Sequence, residues 1–399
     1  MVQYLSMGLA DIPRMTDSIQ LTAPGSTEAK LFEQIARLPN DQRDPYIGLP
    51  NQFIGGSTYL KKIGGRVIFS PDGGFVEIEF PHPKLKTVSL VRTILNGKAL
   101  YFIKGGPSGG LEPLNQHQLE GSCDFQYNDR GLNIEIGKPY PDELPQIPEV
   151  QRQGFRYDSL APCYPIGLHT EIHSCPLLGT SLVARIRESN SIKIIGMLIG
   201  FYKRDGGIES QVMTVLDEFR QQHVAFNLKA QQFRDAIAQD IPRITQTYDP
   251  LLIANTGLNI NALGGKIVDY SNALYTFVTN KPSVPEDRAT VEYNLEAGSP
   301  SRKVSETRSK FRESKLKIPE NSEKISYPRM ISTLAIPKTT LAIEIPHDWS
   351  AIRNSSNSSE AIRWRDWSRL VFSEVLKSHH ISALAFDNSI PYLIANPNE

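Results

Sequence analysis

The chain has 399 residues, in which 43 Lys plus Arg are balanced by 43 Asp plus Glu, with 40% hydrophobic residues, 28 Gly and 28 Pro. That length allows about two to three domains with a sizeable core. Zero formal charge excludes a global pull toward nucleic acid or an anionic membrane, so any charged patch is local. Glycine and proline fall short of the collagen-like or low-complexity range, which leaves a soluble, loop-rich globular protein.

Met1 to Met15 has neither a basic n-region nor a continuous apolar stretch, so no secretory leader is expected there. The longest apolar run, Ile194 to Tyr202, has nine residues, about half of what a membrane span needs. Cys123, Cys163 and Cys175 leave one thiol over in any disulfide scheme and show no CxxC spacing, which fits a reducing, cytoplasmic compartment.

In chain order, Ser26 to Arg37 is expected to form a helix behind Ser26, Thr27 and Glu28 as an N-cap region. From Phe53 to Lys104 the pattern turns to strands: Arg66 to Phe69, the turn Ser70-Pro71-Asp72-Gly73-Gly74, alternating Phe75 to Phe80, then Thr87 to Leu95 and Ala99 to Ile103 around Asn96-Gly97. Gly105 to Gly110 resembles a phosphate-binding loop only in glycine content, because no Lys-Ser/Thr follows; a linker is expected, and a nucleotide-dependent enzyme is disfavoured. Leu132 to Ile136 reads as a strand, Glu149 to Gly154 and Pro165 to Ser174 as helices. Strands then follow at Leu182 to Ile186, Ile192 to Phe201 and Glu209 to Val215. A long helix, Gln222 to Gln239, a strand, Ile244 to Tyr248, a helix, Asn255 to Leu263, and a strand, Lys266 to Tyr270, complete an α+β layout around one sheet.

Between Arg302 and Lys317 seven basic residues face two acidic ones with almost no apolar content, so residues 300 to 325 are expected to be a basic, exposed linker able to recruit an acidic partner. Thr340 to Ile345 reads as a strand and Glu360 to Ser378 as a helix with Trp364, Trp367, Val371 and Val375 on one apolar face, the tryptophans serving as core anchors. His379-His380 is expected to sit at that helix's C-terminal dipole. His169, His173 and Cys175 have the wrong offsets for HExxH, and no metal site is expected.

The chemistry-bearing stretch is Ser210 to Lys229, SQVMTVLDEFRQQHVAFNLK: a strand, a short acidic turn, an arginine and a helix. The unpaired N–H groups and positive dipole end of a first helical turn suit a pyrophosphate. The hexad Arg220-Gln221-Gln222-His223-Val224-Ala225 resembles the acyl-CoA-binding pattern Arg/Gln-x-x-Gly-x-Gly/Ala of the GNAT superfamily, with Arg220 and Ala225 matching and His223 standing in a glycine's place. Tyr248-Asp249-Pro250, Asn255, Asn259, Asn261, Leu263-Gly264, Asp287-Arg288, Glu292-Tyr293, and the C-terminal stretches Glu344 to Trp349 and Glu360 to Leu376 resemble a GNAT branch of predicted acetyltransferases related to a domain associated with O-succinylbenzoate synthase. The resemblance runs from about Leu132 to the C-terminus.

The resemblance implies a mixed, mainly antiparallel sheet flanked by helices, an α+β fold; the strand and hairpin pattern before it adds a small β-rich N-terminal domain over 1–125, of unknown role, which the resemblance leaves unexplained. The resemblance further implies an acyltransferase core over 126–299, and, beyond the 300–325 linker, a C-terminal α/β element over 326–399. It implies an N-acyltransferase whose co-substrate is acyl-CoA or acetyl-CoA, with an acyl carrier protein as a possible donor and an amine-bearing small molecule or peptide as acceptor. Pantetheine would lie along Met213, Thr214 and Val215, and pyrophosphate at Gln221, Gln222, His223, Val224 and Ala225 beside Arg220, with Asn255 near the CoA arm. Glu209 is the nearest candidate for the base. Ile260 occupies the place of the usual thiolate-protonating tyrosine, so Tyr248, Tyr270 or a water would substitute. Phe155, Tyr157, Tyr164, His169 and His173 are the candidate pocket residues, with room for an acyl chain longer than acetyl and for peptide acceptors. The alternative is a noncatalytic GNAT-like scaffold that binds a peptide or protein partner.

Overall fold

The computed structural model describes residues 66–69, 75–82, 86–95, 98–105, 111–113, 121–158, 160, 163, 179–188, 191–273, 284–306, 316–327, 336–355 and 358–398. The expected helices at Ser26 to Arg37 and Pro165 to Ser174 lie outside these residues, as do Tyr164, His169, His173, Cys175 and residues 106–110. The chain divides into two compact units, Met1–Glu218 and Phe219–Glu399.

In the first unit, β1 (Arg66–Phe69), β2 (Phe75–His82), β3 (Lys86–Leu95), β4 (Lys98–Lys104) and β5 (Leu111–Pro113) pair in sequence order, all antiparallel. The tight register Leu95↔Lys98 is the hairpin expected around Asn96-Gly97. The buried carboxylate of Glu77 is matched by Lys104 at 3.1 Å.

A second antiparallel meander follows: β6 (Phe125–Asp129), β7 (Leu132–Gly137), β8 (Gly179–Arg187), β9 (Ile192–Tyr202) and β10 (Ile208–Val215). The longest apolar run of the sequence is β9, buried from Ile194 through Tyr202 because neighbours cover both of its faces. Among the described residues no helix is long and apolar enough to cross a membrane. Helix α1 (Ile147–Phe155) follows a 3₁₀ turn at Pro141–Gln146. The buried Arg185 joins these pieces: its Nε lies 2.7 Å from Glu143, and its other nitrogens donate to the Ser122 and Lys138 carbonyls.

The second unit opens with α2 (Val224–Ala238), β11 (Arg243–Tyr248), α3 (Ile253–Ala262), β12 (Lys266–Ser271) and β13 (Arg288–Asn294). It continues through α4 (Pro300–Glu306), β14 (Leu316–Lys317), β15 (Glu323–Ile325), β16 (Leu341–Glu344), α5 (Trp349–Asn354), α6 (Ser358–Val375), β17 (His379–Asp387) and β18 (Ile390–Pro397). Its sheet order is β11-β13-β12-β17-β18-β16-β15, antiparallel except for the β15–β16 pair, and β14 lies parallel to β17. The fold class is therefore the expected mixed one, with a mainly antiparallel sheet and helices.

Two expectations are corrected. Residues 300–325 are not a structureless linker where described: α4 is held by the fully buried Ser301, whose hydroxyl donates to the Leu263 carbonyl at 2.8 Å, and β14 and β15 join the sheet. A small hydroxyl, not apolar content, supplies the anchor, and residues 307–315 lie outside the described set. His379 and His380 begin β17 and do not cap α6, which ends at Val375. The His379 ring is buried between the Ser378 hydroxyl, 2.9 Å from Nδ1, and the Thr339 carbonyl, 3.0 Å from Nε2. Trp364 and Trp367 are buried as expected, with Tyr327 stacked on Trp364 at 3.9 Å.

Helix α6 is fastened to the sheet by a buried ionic network. Asp249, just past β11, accepts from Arg365 at 3.1 and 2.7 Å, from Trp349 Nε1 at 2.8 Å and from the Leu251 N–H at 3.1 Å. Asp287, just before β13, accepts from Arg369 at 2.7 and 2.9 Å, from Tyr270 Oη at 3.0 Å and from the Ala273 N–H at 2.7 Å. Both carboxylates and Arg365 are essentially inaccessible, and the Arg365 guanidinium lies over the Trp349 ring at 4.7 Å. A buried charge is tolerable only when such partners replace its water.

Burial pushes the Asp249 carboxyl up, but the adjacent Arg365 guanidinium outweighs this by charge and hydrogen bonding and holds it below the ordinary carboxylate value. The unfolded chain, with an Asp pKa of roughly 3.9, therefore takes up this proton first as pH falls. The Asp249 contribution is complete above about pH 5 and declines as pH drops through the folded pKa. Asp249→Asn, which leaves Arg365 buried beside a neutral group, is expected to cost about 3–5 kcal/mol in urea unfolding. It should also remove the part of the acid sensitivity below about pH 5 that Asp249 carries in the unmodified chain.

Candidate functional site

Strand β10 carries the first group of candidate residues. Between Ser210 and Val212 the register against β9 shifts by one residue, a bulge at Gln211. A bulge re-aims the side chains that follow it, so Glu209 and the run Met213 to Val215 do not follow one simple alternation. Glu209 is fully buried opposite Phe201. Met213 is half-buried, while Thr214 and Val215 are buried. Thr214 packs against α1 where the chain has Gly154; a Cβ on that glycine would collide with the Thr214 side chain.

Beyond β10 the chain turns through Asp217–Phe219 and enters α2. Gln221 and His223 both take left-handed backbone conformations, at φ 62° and φ 55°. That region favours glycine, and among other residues it is tolerated best by Asn, Asp and His. The position at which the acyl-CoA pattern calls for glycine is thus a left-handed position here, occupied by one of the few side chains that accept it. His223 is the N-cap of α2, its side chain makes no capping bond, and no acidic residue lies in the first turn. The Asn227 N–H donates to the His223 carbonyl at 2.9 Å, so helical bonding starts at once.

Tyr248 ends β11. It is buried, its hydroxyl has no hydrogen-bond partner among the described residues, and burial pushes its pKa well above the ordinary tyrosine range, so it stays protonated at neutral pH. Ile260 is buried in α3. Asn255 is exposed on the first turn of α3. The other two asparagines of that helix have structural partners: Asn259 accepts from Tyr293 Oη at 2.6 Å, and Asn261 exchanges two hydrogen bonds with the Leu384 backbone at 2.8 and 2.9 Å.

Phe155 and Tyr157 stack with centroids 5.5 Å apart at the end of α1. Tyr157 lines a cleft of about 530 Å3 together with Arg152, Arg156, Leu216, Asp217 and Glu218. Its charges are paired: Arg156 with Asp217 at 2.7 Å, Arg152 with Glu149 at 2.6 Å, and Lys193 with Glu218. The structure thus brings one expected pocket residue beside the turn that follows β10. The Arg156–Asp217 pair bridges 61 positions and had no local signal in the sequence.

No family model matches the sequence, and no curated protein matches it. Among the solved structures similar to this chain are several acetyltransferases. The ribosomal-protein-S18-alanine N-acetyltransferase of Escherichia coli is 10% identical with a TM-score of 0.33, over 42% of this chain and 96% of that one. A PaiA N-acetyltransferase from Thermoplasma acidophilum, in complex with coenzyme A, is 14% identical with a TM-score of 0.32, over 40% and 98%. A diaminobutyrate acetyltransferase from Paenibacillus lautus, in complex with L-2,4-diaminobutyric acid and coenzyme A, is 14% identical with a TM-score of 0.33, over 41% and 98%. At these identities the likeness is one of fold.

The left-handed turn makes a direct prediction. His223→Val puts a β-branched residue at φ 55° and is expected to lower stability by about 1–2 kcal/mol, whereas His223→Gly is accommodated without backbone strain. Paired urea titrations of the two variants check the order.

Proposed function

We propose that the chain is an acyl-CoA-dependent N-acyltransferase. The observation that carries this reading is the left-handed entry into α2 at His223, at the place where the acyl-CoA pattern has glycine. A helix start with a positive dipole end and no acidic first turn suits a pyrophosphate. In this reading Gln221 to Ala225 and Arg220 hold the diphosphate, Met213 to Val215 offer backbone groups to the pantetheine arm, and Asn255 lies toward the same arm.

The reaction joins the acceptor nitrogen to the thioester carbonyl carbon and breaks the carbon–sulfur bond. Glu209 takes the proton that the amine loses, and the Tyr248 hydroxyl supplies the proton that the CoA thiolate gains, its raised pKa keeping the proton available at neutral pH. Positioning of the amine and stabilisation of the oxyanion supply most of the rate. Phe155 and Tyr157, with Tyr164, His169 and His173, border the acyl and acceptor pocket. The acceptor is an amine on a small molecule or a peptide, and the acyl chain is longer than acetyl. An acidic acyl carrier protein is the alternative donor, met by the excess of five positive charges over Arg302 to Lys317. The protein works in the cytoplasm. The side chain of His223 in a glycine's place favours one second reading, a scaffold of this fold that no longer holds CoA and binds a peptide or protein partner.

Titration calorimetry separates the two. Saturable binding of CoA and of a long-chain acyl-CoA is expected, strengthened by His223→Gly; no heat with either at high micromolar concentration rules out the CoA-dependent reading. Glu209→Gln is expected to lower turnover about 10²- to 10⁴-fold at neutral pH, and unchanged turnover across pH would remove Glu209 as the base.

A further inference from the structure

The second unit carries a groove that acyl transfer does not use. It has a volume of about 480 Å3 and lies among the loop after β16, the first residues of α5, the first half of α6 and the β17–β18 turn. Its floor is apolar, formed chiefly by Ile345, Ile352 and Trp364, and the exposed Ile390 stands at its rim. Three carboxylates stand around it: Glu344 at the end of β16, Asp348 at the start of α5 and Glu360 in the first turn of α6. Asp348 spends one oxygen capping the Ala351 N–H at 2.9 Å, and none of the three forms an ion pair among the described residues. No lysine or arginine lines the groove, and His347 is its one basic side chain among the described residues. The wall opposite α6 is the turn Asn388-Ser389, with both residues left-handed at φ 45° and 72°, a backbone that matches a tight hairpin and presents Ile390 at the rim.

The buried carboxylates Asp249, Asp287 and Glu286 of the second unit are matched with cations: Asp249 with Arg365, Asp287 with Arg369, and Glu286 with Arg288 and Arg353. Three unmatched carboxylates around one apolar floor ask for a partner that brings both cations and apolar side chains. We propose that this groove docks a peptide segment in which lysine or arginine alternates with apolar residues. Its apolar side chains would fill the floor, and its cations would meet Glu344, Asp348 and Glu360. A polyamine offers the charges without the apolar groups, and an acidic segment brings apolar groups without the cations. The proposal does not depend on acyl transfer, because its readout is binding alone.

The test uses the full chain and a fluorescein-labelled dodecapeptide of alternating leucine and lysine, read by anisotropy. Saturable binding is expected, weakened by raised salt and reduced about five- to tenfold by the combined substitution Glu344→Gln and Glu360→Gln, a half-buried and an exposed carboxylate that form no ion pair among the described residues. Ile390→Lys, which adds a cation to the exposed rim, should weaken binding independently. Absence of binding at high micromolar concentration, equal binding of the leucine–glutamate peptide, or equal affinity in both variants overturns the proposal. Full displacement of the peptide by spermidine at matched concentration reassigns the groove to polyamines and overturns it as well. Calorimetry with CoA reports separately on acyl transfer, so failure of either reading leaves the other standing.

Discussion

Two carboxylates that have lost their water hold the second unit together. Asp249 and Asp287 sit where the chain leaves β11 and enters β13, neighbouring strands of one sheet, and their counter-charges, Arg365 and Arg369, are one turn apart on α6. Four residues on a helix return to the same face, so one helix supplies both guanidinium groups to one sheet edge. Trp349 joins the same carboxylate as Arg365, and its ring centroid lies 4.7 Å from the Arg365 guanidinium carbon. A mispaired register would leave a charge buried without a partner, and that cost selects the observed docking of α5 and α6 over near alternatives. The cluster is internally neutral, two anions against two cations.

The strands were legible in the sequence because their signals are local. Alternation and the Asn96-Gly97 turn placed the first hairpins, and the apolar run at Ile194 to Tyr202 resolved into a strand covered on both faces. The helix from Gln222 was placed within two residues of its observed start. What resisted reading depends on distant partners. Asp249 and Arg365 are 116 positions apart, and nothing in either neighbourhood names the other. Tyr248-Asp249-Pro250, Asp287-Arg288 and the tryptophan-rich helix were all noticed as parts of a resemblance, yet their common physical role appears only in three dimensions. The segment from 300 was misread because composition weighs apolar residues, whereas α4 is fixed by one buried hydroxyl reaching two carbonyls.

The candidate site was legible to the same degree. His223 stands out in the sequence as a departure from a glycine, and the backbone there is left-handed, the conformation that glycine adopts most readily. The bulge at Gln211 left no mark in the sequence, although it governs where Met213 to Val215 point. The π-type turn in α3, in which the Leu263 N–H reaches the Leu258 carbonyl at 2.9 Å, was equally invisible. It accompanies the placement of Asn259 and Asn261 on two different partners, Tyr293 and the β17 backbone, so asparagines that looked like one group serve two ends.

The zero net charge of the chain therefore hides a division by depth. Ions in solution screen charges at the surface and barely reach those sealed inside. The Asp249–Arg365 pair is sealed and the Asp287 carboxylate is buried, whereas Asp348 and Glu360 stand in water. A rise in ionic strength would loosen whatever those outer carboxylates hold while leaving the architecture of the unit untouched. Recognition in this molecule can thus be tuned by its surroundings without any toll on its integrity.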